Sequence, residues 1–445
     1  MPRRAIMTCL SATALFACAA MADVVVIKAA KVITISGEEI PRGVVVINDG
    51  KVELVGLGLE YPAGARVIDA STETIMPGLI LASTRAGIPG PARSGVNCHQ
   101  NVLDEFFPGA VDEERYLRAG FTAIGLAPAG TSLPGTAVAW RPAGPEASRV
   151  LNKAAYLRAT MNRMPGDKTT LVGALRRAKA EIEKIEKARK EWETKQEEER
   201  KKAEAEKAQQ PKPESQPPQG TPPASQPTQP GQRPPPPSGQ PQGQQQPPAP
   251  AKFEPPKIDP PHEPLVHLIE KKSAPALIFE VSTASDVVHT LDVMKDWTDV
   301  AHSFNLSGGA DFNYIVDRLG EKKAEVIVDP VISRLPNTTT RYNLPGELHR
   351  AGCAVALSPT SDSPAAFDAY LGMTADLVRS GMPRDAALKA LTIEPARRLR
   401  IDSSVGAIAK GKDADIVFFS GDPLDPTSRV SRVMILGDIV WEAAR

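Results

Sequence analysis

Imidazoles and carboxylates are the side chains through which a protein most readily holds a metal or moves a proton near neutral pH. The chain contains six histidines. His99, His262, His267, His289 and His349 have no partner at metal-binding spacing, and His302 stands alone, as a histidine of a core or a surface does. Asp362 has the most pointed setting among the carboxylates. It follows Val355-Ala356-Leu357 and sits in Ser358-Pro359-Thr360-Ser361-Asp362-Ser363-Pro364, where an aspartate either does chemistry or caps a turn or helix. Of the four cysteines, Cys98 and Cys353 lie outside the first 22 residues. Two thiols are too few for a disulfide framework; they either pair or serve as separate small hydrophobic side chains.

The elements that must position these residues are legible from composition and patterning. Lysine and arginine (53) balance aspartate and glutamate (53), so net charge draws the protein toward neither nucleic acid nor anionic membrane. A chain of 445 residues accommodates a barrel of roughly 250 residues with a satellite domain. Arg3 and Arg4, the mostly apolar stretch Ala5 to Ala19, and Ala20-Met21-Ala22 form the pattern of a secretory signal cut before Asp23. The stretch is short and interrupted by Thr8, Ser11 and Thr13, which argues against a membrane span. Export to the periplasm is therefore expected, with lipidation at Cys18 as the lesser alternative.

From Val24 to Ile75, short β-branched runs alternate with turn residues, and Asn48-Asp49-Gly50 predicts a tight hairpin. Residues 23–75 read as one part of a small β domain. Residues 76–173 alternate less cleanly, although Ala119 to Leu126 looks like a helix end running into a buried strand. At 174–209, Leu175, Ala178, Ile182, Ile185 and Trp192 trace an amphipathic helix that becomes a Glu/Lys run with Glu197/Lys201 and Glu198/Lys202 in the favourable order. That run is a solvated helix or, in its first half, a coiled-coil partner. Residues 210–261, rich in Pro, Gln, Ser and Gly, are expected to be disordered. Helix and Pro/Gln stretch together read as an insertion.

Strand and helix signals alternate through 262–405: strands at Ala276 to Val281, Ser303 to Leu306, Glu325 to Val328 and Cys353 to Leu357, with a last helix from Pro383 to Arg398. Residues 406–445 return to a strand, turn, strand pattern. An α/β chain whose two β-rich ends flank repeated βα units predicts one small sheet domain built from both ends beside a barrel.

Specific segments sharpen this. Ile75-Met76-Pro77-Gly78-Leu79-Ile80 resembles the entry into the first barrel strand of the amidohydrolase superfamily, and Gly406 to Phe418 resembles the tail that closes its satellite sheet. Ala386 to Arg397, Gly421-Asp422-Pro423-Leu424 and the Gly120 to Gly144 region with Leu133-Pro134-Gly135 are similar to the imidazolonepropionase-like branch. The resemblance implies a (β/α)8 TIM-like barrel of amidohydrolase type with a small β-sandwich domain. It also implies one or two divalent metals, such as Zn2+, at the C-terminal mouth, where a bound hydroxide attacks a non-peptide carbon–nitrogen bond.

The ligands of that site are missing. The family's His-x-His pair falls at Ser83 and Arg85; a hydroxyl is a poor ligand, and a guanidinium has no lone pair to give. The same resemblance sets Phe279 at the fifth-strand histidine, with Glu280 facing the other way, and Ser307 near the sixth-strand histidine. Asp362 matches the family's general base and metal ligand, though its loop is longer by about two residues; near Arg85 it would instead form an ion pair across the mouth. No cofactor is therefore expected at the usual site. Two functions follow: a hydrolase with unusual ligands, or a non-catalytic module that binds a small molecule at the barrel mouth. Residues 174–261 could in addition reach an envelope partner.

Overall fold

The computed structural model describes residues 24–162, 165–209, 252–271, 275–308, 311–335 and 337–444. The signal-like segment and residues 210–251 of the Pro/Gln stretch lie outside the described residues. The chain divides into two compact units, one holding both large sheets and the other spanning 179–258.

The β-branched runs at the start become β1 (Val24–Val32), β2 (Ile40–Pro41), β3 (Gly43–Asn48), β4 (Lys51–Leu57) and β5 (Arg66–Pro77). β3 and β4 pair with Asn48 opposite Lys51, and Asp49 (φ 51°) and Gly50 (φ 71°) make the two-residue turn that the Asn-Asp-Gly run predicts.

The barrel follows with β6 (Leu79–Thr84), α1 (Glu113–Arg118), β7 (Phe121–Leu126), β8 (Gly135–Trp140), α2 (Glu146–Arg149), β9 (Val150–Thr160) and α3 (Pro165–Gln209). It resumes at α4 (Glu263–Ile269), β10 (Ala276–Val281), α5 (Ala284–Met294), β11 (His302–Leu306), α6 (Val316–Glu321) and β12 (Glu325–Val328). A small hairpin, β13 (Ser333–Arg334) and β14 (Arg341–Tyr342), precedes α7 (Leu344–Arg350), β15 (Ala354–Leu357), α8 (Pro364–Arg379), α9 (Arg384–Leu391) and α10 (Ile393–Arg398). The chain ends in β16 (Ile416–Phe419), β17 (Val430–Ile435) and β18 (Asp438–Glu442).

β16 pairs with β5, so strands from both ends build one sheet in the order β18-β17-β16-β5-β1-β3-β4, with β2 on β1. The barrel sheet runs β6-β7-β8-β9-β10-β11-β12-β15 and is nearly closed. Its neighbours are parallel except at β8, which is antiparallel to both β7 and β9. The βα alternation expected from the sequence therefore breaks once: the short loop from β7 to β8 has no room for the crossover that a parallel pair requires.

Among the described residues no pairing joins β6 to β15, and α10 packs against both. Ala396, Leu399, Ile401 and Val405 reach the lumen, where they meet Ile80, Ala82, Ala123, Ala137, Ala139, Ile278, Ile327 and Ala356. Small residues on the strands leave space for this plug. The single helix read from Pro383 to Arg398 is in fact α9 and α10, broken at Thr392 (φ −131°, ψ −83°). Pro395 explains the break, because its ring would clash with the carbonyl of Leu391 and it offers no N–H.

α3 begins at Pro165, earlier than the amphipathic pattern indicated, with Leu171, Ala174, Leu175 and Ala178 buried. Farther along, Glu197 and Lys201 form the expected pair at 2.8 Å, and Trp192 meets Phe253 with ring centroids 5.8 Å apart. None of the described helices is long and apolar enough to cross a membrane.

Candidate ligand site at the barrel mouth

The C-terminal ends of the barrel strands enclose a cavity of about 300 Å³ lined by Arg85, Ala92, Gly130, Thr131, Arg158, Thr160, Asn162 and Glu280. The register of β6 against β7 slips between Leu81 and Thr84. At this irregularity Ser83 lies inward beside the buried Tyr156 phenol, which donates to the Ala82 carbonyl at 3.5 Å, and Thr84 reaches the Tyr116 hydroxyl at 3.3 Å. Burial pushes the Tyr156 phenol up to about 12, against the pull of Ser83, Arg158 and Arg85, so it stays protonated and is no base.

Arg158, on β9, is the centre of the mouth. Its guanidinium is buried; Nε donates to Glu280 Oε2 at 2.9 Å, Nη2 donates to the same oxygen, and Nη1 donates to the carbonyls of Pro128 (3.1 Å) and Gly130 (2.7 Å). Gly130 is required here. With φ 131°, its missing Cβ would stand 1.9 Å from the Arg93 carbonyl oxygen, because the loop after β6 bridges to the β7–β8 loop at Arg93–Gly130.

Arg85 reaches the same cavity. It is exposed, and its guanidinium has no carboxylate within ion-pairing distance among the described residues. Deeper in, the buried Asp167 accepts from Ser132 Oγ (2.7 Å), Thr160 Oγ1 (3.2 Å) and Asn162 N (3.2 Å), which fixes the cavity wall.

Two sequence readings need correction. Phe279 does not face the lumen: it pairs with Phe304 and packs against Phe304 and His302 on the outer side, while Ile278 is in the lumen core and Glu280 in the mouth. Glu280 is thus the inward residue of the fifth barrel strand, with no register shift needed. The expected ion pair between Asp362 and Arg85 is absent among the described residues. Asp362 Oδ2 instead accepts from Thr84 Oγ1 at 2.7 Å and, at 3.5 Å, from the Arg85 backbone N–H. It ties the end of β6 to the loop after β15 across the unpaired seam, and Ser363 rather than Asp362 caps α8.

Ser307 follows β11, its N–H bonded to the Val281 carbonyl at 3.1 Å, and His302 lies on the outer side with Nδ1 on the Val300 carbonyl at 2.9 Å. Cys98 and Cys353 are separate buried thiols, each pushed up by burial, to about 12 and about 11. Sequence reasoning missed Arg158, Thr131, Thr160 and Asn162. The signal was the spacing Tyr156, Arg158, Thr160, a charge at every-other-residue register within an apolar strand.

Residues 278–440 match the model described as "Amidohydrolase family", and the chain carries an amidohydrolase-family domain. It is similar to an amidohydrolase from Thermotoga maritima MSB8, with 21% identity over 94% of this chain and 100% of that one and a TM-score of 0.65. A prolidase complexed with N-methylphosphonate-L-proline (13% identity, 94% and 100% covered, TM-score 0.51) and molinate hydrolase (13%, 94% and 95%, 0.51) share the fold. No curated protein matches the chain.

Amidohydrolases usually hold a divalent metal such as zinc, and the residues present do not fit one. The inward positions offer a serine hydroxyl, two guanidiniums and a carboxylate already engaged by Arg158. Among the described residues no three His, Cys, Asp or Glu side chains converge in a metal-binding group. A guanidinium brings a fixed positive charge to the place where a cation would have to bind.

Proposed function

We propose that this is a non-catalytic protein of the amidohydrolase fold that binds a small organic anion at the barrel mouth. Its expected location is the periplasm, as the Arg3–Ala22 pattern suggests. The observation that carries the reading is the tethered cation: Arg158 is locked by Glu280 and two carbonyls, while Arg85 adds a charge that no carboxylate among the described residues balances. The pair Arg158–Glu280 is neutral as a unit, so the cavity keeps one net positive charge from Arg85. Thr131, Thr160 and Asn162 add polar groups for orienting a ligand. About 300 Å³ is at the lower end of small-molecule sites, suited to a compact carboxylate.

Calorimetric titration with short carboxylic acids and N-acyl amino acids tests this. Saturable binding of one or more of them is expected, weakened about tenfold or more in Arg85→Gln through loss of a charge-assisted contact. Turnover of amides or N-acyl amino acids by the wild type, abolished in Asp362→Asn, would instead establish a hydrolase.

A further inference from the structure

A second cavity, of about 490 Å³, lies at the opposite end of the barrel strands. α5 and the loop after it form one wall with Leu291, Met294, Thr298 and Val300; the starts of β11 and β12 form the other with His302, Phe304 and Glu325. Lys295, Lys322 and Lys323 stand around it. Its floor is apolar, since Met294, Val300 and Phe304 are almost fully buried side chains. Phe304 is held in place by edge contacts with His302 (centroids 5.8 Å apart), which leaves Leu291 and the unbranched Met294 as the adaptable part of the wall.

The charges of this cavity do not cancel. Lys295 pairs at 3.0 Å with Asp292, which Lys168 also holds at 3.1 Å, and Glu325 is engaged by Arg398. Lys322 and Lys323 have no carboxylate within ion-pairing distance among the described residues. His302 donates from Nδ1 to the Val300 carbonyl, which accepts only, so its Nε2 is the ring atom left without a hydrogen bond among the described residues. Lys323 has φ 48°, a left-handed conformation in the turn that ends α6, where its N–H bonds the Gly320 carbonyl at 2.8 Å. Glycine fits that backbone better than lysine does.

We propose that this flank cavity binds a straight-chain aliphatic carboxylate, its chain against Leu291, Met294, Val300 and Phe304 and its head group against Lys322 and Lys323. Charge complementarity selects the anion, and the aliphatic wall selects the chain. The site shares no residue with the barrel mouth and stands whether or not the mouth binds an anion.

The test is calorimetry on the full chain with sodium hexanoate, octanoate and decanoate, together with hydrogen exchange of α5 and residues 322–325. Decanoate is expected to bind saturably, to protect those segments, and to bind tighter than hexanoate by up to about fourfold per added methylene. Lys322→Gln with Lys323→Gly is expected to weaken decanoate at least about fivefold without lowering the melting temperature, since glycine relieves the left-handed position. Decyltrimethylammonium, with the charge reversed, is expected not to bind. No saturable decanoate binding up to about 1 mM overturns the proposal. So does binding unchanged in the double variant, independent of chain length, or equally strong for the cationic probe.

Discussion

Two buried arginines do opposite work in this molecule. Arg141, just after β8, donates from Nε to Asp415 at 3.0 Å, from Nη2 to Asp413 at 2.6 Å and from Nη1 to the Ser148 carbonyl at 2.9 Å. Its side chain is 3% exposed and those of its aspartates 2% and 9%, so the whole cluster is sealed between barrel and end-built sheet. Arg158 in the mouth is held as firmly, yet its partner Glu280 is 34% exposed and faces a cavity. A buried charge enclosed on all sides fastens structure, whereas one whose counterion opens on a cavity sets the electrostatics of a site. The mouth has the second kind of arrangement, at the place where the resemblance to amidohydrolases implies a metal.

The contrast breaks most visibly at the sealed cluster. Arg141→Ala leaves the buried Asp415 carboxylate without a counterion, while Asp413 keeps Lys51 at 2.5 Å, and is expected to lower stability by about 3–5 kcal/mol, measured by urea unfolding at pH 7. A loss under about 1 kcal/mol would show that the sheet junction does not depend on this cluster.

Asp329, at the end of β12, gives the next effect. Burial raises its carboxyl from 3.8 to about 6. A raised acid favours the folded state when protonated, so its contribution is complete below about pH 4 and is lost as pH rises through about 6. The wild type is expected to lose roughly 2–3 kcal/mol across that window relative to Asp329→Asn. Parallel pH profiles for the two proteins would show that Asp329 is not strained in this way.

The smallest effect separates fastening from chemistry at the mouth itself. Asp362→Ala removes the acceptor for Thr84 across the seam and is expected to cost about 1–2 kcal/mol, with Asp362→Asn largely restoring it through the amide oxygen. Equal losses in both variants would mean that the charge, not the hydrogen bond, holds the seam.

Much of this was legible in advance. Ala276–Val281 and Glu325–Val328 are strands at the boundaries read from their apolar runs, and Asn48-Asp49-Gly50 is the turn it promised. Pro77-Gly78-Leu79 fixed where Ser83 and Arg85 fall, even though the slip in β6 that turns Ser83 inward has no sequence mark. Phe279 was misplaced because a parallel strand is buried on both faces. Ile278 and Phe279 are equally apolar, and a one-residue slip exchanges lumen for outer layer. Only the pairing of Glu280 with Arg158 tells the faces apart, and Arg158 was hidden in β9, behind the antiparallel β8 that the βα pattern did not anticipate.

Elemental analysis of the full chain, purified after growth with added zinc, tests the central claim most directly. With Arg85 and the Arg158–Glu280 pair in the mouth, no stoichiometric metal is expected, and Glu280→Gln should change nothing in the metal content. Stoichiometric zinc in the wild type that disappears in Glu280→Gln would contradict the account, because it would mean that the carboxylate serves a metal and not the guanidinium.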